Sequence, residues 1–192
     1  MQAFLIEAVV LSLRDPRRGV RLVLDNVQGT QGALVMFGLA LIISCLVAAL
    51  HWILVGPPDL SHLPAETPVP TLSQAVQGML IVSAMFLAVF MGIAFGVGKL
   101  FGGTANIAAV VVALAWHSIL TAPLAPFVTV SSIMGPDGPA FWRIGLLLFT
   151  TWLLICFVAE VHRFRSAWLV GAVVAGFMFG LSLIFVASLS GA

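Results

Sequence analysis

Charge is what this sequence has least of. Only 8% of its 192 residues are Asp, Glu, Lys or Arg, against roughly a quarter in a soluble domain. So few charges cannot clothe a water-facing surface, which excludes a soluble globular protein and a nucleic-acid-binding one. Tyrosine is absent and there are only two cysteines. Cys45 and Cys156 both lie in apolar runs, so neither a disulfide framework nor a paired-cysteine metal site is expected. No polar stretch is long enough to enclose a second core, which leaves one compact unit.

What is present is hydrocarbon. Apolar residues make up 61% of the chain and the mean hydropathy is +1.18. Apolar runs long enough to cross a bilayer as helices fall at about 32–55, 73–98, 105–127, 141–159 and 167–189. The expected fold class is therefore all-α, a five-helix transmembrane bundle over 29–192. Gly56-Pro57-Pro58 ends the first span, and Pro123 and Pro126 should kink or end the third. The segments 56–70 and 128–139 read as loops.

Residues 1–28 differ from the rest. The stretch 1–13 is apolar but too short to span, and Glu7 and Arg14 argue against a cleaved signal peptide. It is expected as a helix in the membrane interface. Asp15 and Pro16 then suit the N-cap and first position of a second short helix lying along the membrane surface. Its Arg17, Arg18 and Arg21, together with Arg14, are candidate lipid-headgroup contacts. With the N-terminus in the cytoplasm, seven of the eight basic residues fall inside, and only Arg143 is outside. The positive-inside rule thus places 1–28 in the cytoplasm and the C-terminus outside.

Few residues carry recognisable chemistry. Gly96-Val97-Gly98-Lys99-Leu100-Phe101-Gly102-Gly103 looks like a phosphate loop, but Ile93 and Leu100 stand where that motif needs Gly and Ser or Thr. It reads better as a tight turn between two spans. Gly92 and Gly96, and Gly176 and Gly180, have the four-residue spacing that lets helices approach closely, inside one bundle or between two copies of the chain. Asn106, His117 and Thr121 are polar groups in or near the third span, so they should face the bundle interior. For His117 the expectation is a neutral imidazole hydrogen-bonded across helices. Glu160 and His162 are too few for a metal site, and an ion pair of Glu160 with Arg163 or Arg165 is expected. His51, Trp52, Trp142 and Trp168 read as interfacial anchors. No catalytic set, cofactor motif or metal cluster is found in the sequence.

The order of features has a likeness. Asp15-Pro16-Arg17-Arg18-Gly19-Val20-Arg21 follows a short helix, and Phe101-Gly102-Gly103-Thr104-Ala105-Asn106 precedes a third span that ends in prolines. A charged hairpin with His162 then leads to the fifth span. In these respects the chain resembles the bacterial branch of the Yip1 domain family along nearly its whole length. The resemblance implies a multi-pass protein of the bacterial inner (cytoplasmic) membrane without an agreed activity. Eukaryotic relatives carry a cytoplasmic Asp-Leu-Tyr-Gly-Pro motif and work with Rab-type GTPases. This chain has no tyrosine and its Gly135-Pro136-Asp137-Gly138-Pro139 falls in an expected external loop, so GTPase binding does not carry over. The expected role is non-enzymatic: a scaffold or accessory factor for membrane proteins or lipid organisation. Its expected partners are the bilayer, other membrane proteins and a second copy of itself, with no nucleic acid. The alternative is a small transporter or channel, as a dimer, with a polar path through Gln74, Gln77, Asn106, His117 and Thr121.

Overall fold

The computed structural model describes residues 2–56, 69–124, 126–127, 138–173 and 175–176. Among them the regular structure is helical: α1 (Gln2–Arg14), α2 (Pro16–Asn26), α3 (Gly29–Val55), α4 (Leu72–Leu100), α5 (Ile107–Thr121) and α6 (Gly138–Val161). A further helix starts at 167. Among the described residues four stretches are long and apolar enough to cross a membrane: Gly29–Val55, Leu72–Leu100, Ile107–Leu124 and Phe141–Val161. The chain is a multi-pass membrane protein. Most of the expected fifth span, beyond 176, lies outside the described residues, as do most of both expected loops.

Local chemistry sets the helix ends. The Asp15 carboxylate accepts a bond from the Arg18 amide at 3.2 Å, and Pro16 occupies the first helical position, where its missing N–H costs nothing. Thr71 and Gln74 form a reciprocal capping box at the start of α4. Asn106 caps α5 by accepting from the Ala109 amide at 2.8 Å. At the far end of α5 the backbone tightens into a 3-10 turn over Ala122–Leu124, where Pro123 removes a donor.

The short third span is the axis of the bundle. Val112, Ala113, Leu114, Ala115 and Trp116 are all buried. Five consecutive residues go more than once around a helix, so α5 is enclosed on every side. It packs against α3, α4 and α6, and also against α2. The outer helices bury one stripe each and turn Leu34, Ile42, Leu46, Phe86, Val89, Leu147 and Leu148 outwards. Exposed apolar side chains in this number need hydrocarbon around them.

The first 28 residues do not stand apart from this bundle. The apolar face of α2, built from Pro16, Gly19, Val20 and Val23, is buried, turned into α5 and α6. The face that a surface helix would give to lipid is thus given to protein. α1 folds back on α2, and the two cross where a Cβ at Gly19 would collide with the backbone of Ser12. Ser12 is fully buried, and its hydroxyl accepts a bond from the Trp116 indole N–H at 2.9 Å. Trp116 is nine residues into α5, about 14 Å along the axis. The hairpin is pinned to the bundle through its core helix.

Candidate functional site at the charged end of the bundle

α4 and α6 end side by side in the same kind of turn. In α4, Gly102 is left-handed (φ 80°). The Gly102 amide bonds the Lys99 carbonyl at 3.0 Å, and the Gly103 amide bonds the Gly98 carbonyl at 2.7 Å. In α6 the left-handed residue is Arg163 (φ 57°). Its amide bonds the Glu160 carbonyl at 3.0 Å, and the Phe164 amide bonds the Ala159 carbonyl at 2.8 Å. Both patterns are Schellman caps, a place where glycine is the ordinary choice.

His162 locks the two turns together. Its ring fills the hollow left by Gly98 and Gly103, where a Cβ on either glycine would overlap the imidazole. It is 2% exposed, stacks on Phe164 with ring centres 5.5 Å apart, and its carbonyl accepts from the Thr104 amide at 3.3 Å. Neither ring nitrogen has a hydrogen-bond partner among the described residues. Burial pushes the imidazole below its ordinary value, and nearby Lys99 adds to the effect, while the Ala94 carbonyl opposes it without good hydrogen-bond geometry.

Arginines from α2 brace these turns. Arg17 donates through Nη2 to the Phe164 carbonyl at 2.9 Å. Arg21 donates through Nε to Glu160 at 2.7 Å and forms an ion pair with it. Glu160 is only 12% exposed, and its partner is not Arg163 or Arg165, the residues expected from sequence. Neighbours in sequence lost because the left-handed turn at 163 carries the chain away, whereas docking of α2 brings Arg21 across. The bond to Glu160 holds Arg21 still more firmly protonated. Arg18 pairs with Asp15 at 3.1 Å, and Arg14 is exposed at the end of α1. Between α2, the starts of α3 and α5, and the turn after α6 is an open cleft of about 970 Å³, whose charged lining is Arg17, Arg21, Asp25, Glu160 and Arg163.

The other expected residues are scattered. Asn106 is exposed at the α5 cap, some 22 Å along the helix from Thr121. His117 bonds the Thr150 carbonyl through Nε2 at 3.0 Å and meets the Phe157 ring edge-on, while Thr121 donates back to the His117 carbonyl at 2.9 Å. Both line a mostly apolar space of about 450 Å³ between α4, α5 and α6. Gln74 is spent on its cap and Gln77 is exposed, so the described residues do not join into a polar path. Among the described residues a Cβ on Gly92, Gly96 or Gly176 would meet no neighbour, and Gly180 lies outside them. The close approaches are instead at Gly19, Gly98 and Gly103. Trp142 and Trp168 are exposed. Among the described residues no three of His, Cys, Asp and Glu gather as a metal site.

No protein-family model, curated protein or solved structure matches the chain. Sequence reasoning missed Ser12 and the Gly98–His162–Gly103 lock. The available signals were a lone serine seven residues before a glycine, and glycines already accounted for by a turn.

Proposed function

We propose that the chain is a non-enzymatic five-span protein of a bacterial inner membrane, with its charged end in the cytoplasm. In this reading it is a scaffold or accessory factor for membrane proteins or lipid organisation, in keeping with the resemblance to bacterial Yip1 domain proteins. One observation carries the reading. α1 buries Ala8 and Ser12 but exposes Leu5, Ile6, Val10 and Leu13, which cover an arc of about 140°. Exposed Arg14 ends the same helix. An apolar ridge that ends in an exposed arginine, on a helix anchored to the bundle through α2 and Trp116, suits the boundary between acyl chains and anionic headgroups.

Each basic residue near such a surface is worth about 1 kcal/mol. The test uses the full chain in nanodiscs of mixed phosphatidylcholine and phosphatidylglycerol, with spin-labelled lipids reporting which species is held at the protein. Arg14→Gln with Arg18→Gln should lower the preference for phosphatidylglycerol. An unchanged preference rejects the contact. The second reading, transport, rests on His117, Ser118 and Thr121 lining the space beside α4. It requires solute flux in liposomes that disappears with His117→Ala.

A further inference from the structure

We propose that the cleft behind α2 is a discrete phosphate-binding site, taking either a phospholipid headgroup or a free phosphate compound. It goes beyond the surface contact described above and does not depend on it.

The argument starts from which charges in the cleft are already used. Arg21 gives Nε and Nη2 to Glu160, so that pair is internally neutral. Arg17 differs. It gives only Nη2, and it gives it to the carbonyl of Phe164, a bond that orients the guanidinium without cancelling its charge. Nε and Nη1 of Arg17 make no hydrogen bond among the described residues. Arg163 lines the same cleft, and its guanidinium makes no hydrogen bond or ion pair with any described residue. The bond from Arg17 holds its guanidinium at the carbonyl of the residue that follows Arg163. Two arginines with no carboxylate partner among the described residues, one of them held in position, thus line one concave space. Asp25, on the α2 side, is the only lining carboxylate besides Glu160.

A phosphate is what this arrangement fits. Guanidinium forks bind phosphate oxygens through paired, charge-assisted hydrogen bonds. A cleft of about 970 Å³ has room for a headgroup or a small phosphate ester. A cation would meet two unpaired arginines, and an uncharged apolar ligand would have to strip water from them.

The geometry also supplies an unusually clean variant. Arg163 is at a left-handed position where glycine is the ordinary occupant. Arg163→Gly removes the guanidinium while relaxing the backbone, so a loss of binding cannot be ascribed to a damaged fold. The full chain in detergent is titrated with short-chain phosphatidylglycerol, with bound lipid counted by native mass spectrometry. Inorganic phosphate is then added as competitor.

The wild type should bind one phosphatidylglycerol per chain saturably. Arg163→Gly should weaken that binding about tenfold and melt no lower than wild type. Asp25→Asn, which removes the opposing carboxylate, should tighten it, a gain that misfolding cannot imitate. Arg165→Gln, next along the same turn but outside the cleft, should leave the affinity unaltered. Competition by inorganic phosphate would mark a site for free phosphate compounds, and its failure to compete would mark a headgroup site. The proposal is overturned by non-saturable binding, by full affinity in Arg163→Gly, or by equal weakening in Arg165→Gln or in Arg14→Gln with Arg18→Gln. The last result would leave only diffuse surface charge.

Discussion

Gly98→Ala should reverse its sign depending on residue 162. Taken alone, the substitution helps, since alanine is a better helix former than glycine by about 1 kcal/mol. Gly98 is within α4 and is not among the left-handed glycines. Against this, the new methyl would overlap Cε1, Nε2 and Nδ1 of His162. The ring cannot swing aside easily, because it is stacked on Phe164 and its backbone is tied to Thr104. Overpacking of this kind costs about 1–3 kcal/mol.

With His162 present, Gly98→Ala should therefore be neutral or destabilising by up to about 2 kcal/mol. In a His162→Ala background the obstacle is gone, and the same change should stabilise by about 1 kcal/mol. The coupling is the difference, about 1–3 kcal/mol. It is measured by unfolding the wild type, both single variants and the double variant in one detergent. Gly103→Ala supplies the control. Its Cβ would meet the Gly98 carbonyl as well as His162, so deleting the imidazole should not rescue it. The reasoning fails if Gly98→Ala changes stability by the same amount, within about 0.5 kcal/mol, in both backgrounds.

Two further outcomes follow from buried polar groups. Ser12→Ala should cost about 1–3 kcal/mol, because it leaves the Trp116 indole N–H buried without an acceptor. Thermal unfolding checks this, and a loss below about 0.5 kcal/mol would mean that the bond does not hold the hairpin. Stability should also depend on pH through His162. Its folded value is pushed below the ordinary 6.5, so below that pH the unfolded chain binds the extra proton first. Stability is full above about pH 6.5 and falls as the pH drops through that value, until the folded-state value is passed. The difference in slope between wild type and His162→Phe isolates this group from the other histidines, and identical slopes would refute it.

Much of the fold was legible because its signals are local. Proline, glycine and caps fixed where helices start and stop: Asp15 with Pro16, and Pro123 at the end of α5. Hydropathy located the spans because lipid requires long apolar runs. The site was less legible because its partners are far apart in sequence. Arg21 and Glu160 are separated by 139 residues, and Ser12 and Trp116 by 104. Nothing in either neighbourhood announces the other. The need for the other glycines was hidden for a related reason. Spacing picked out Gly92 and Gly96, which meet no described neighbour, whereas the need for glycine at Gly98 and Gly103 comes from an imidazole some sixty residues later. His117 was read correctly as a bonded imidazole, since a polar group in hydrocarbon has few other options.

The pinned hairpin also constrains the order of events during synthesis. α1 and α2 leave the ribosome well before α5 and α6, which hold their partners. The Arg17–Phe164 bond must wait for 147 further residues, roughly 7 to 30 s at ordinary rates of translation. Over that interval α1 and α2 have only each other to pack against, and the membrane interface is the further apolar refuge in reach. α2 then turns its apolar face from that refuge into α5 and α6 once the later spans have inserted. Its docking closes the assembly, so protection of Ser12 and Val20 from labelling reports a finished bundle, not merely an inserted one.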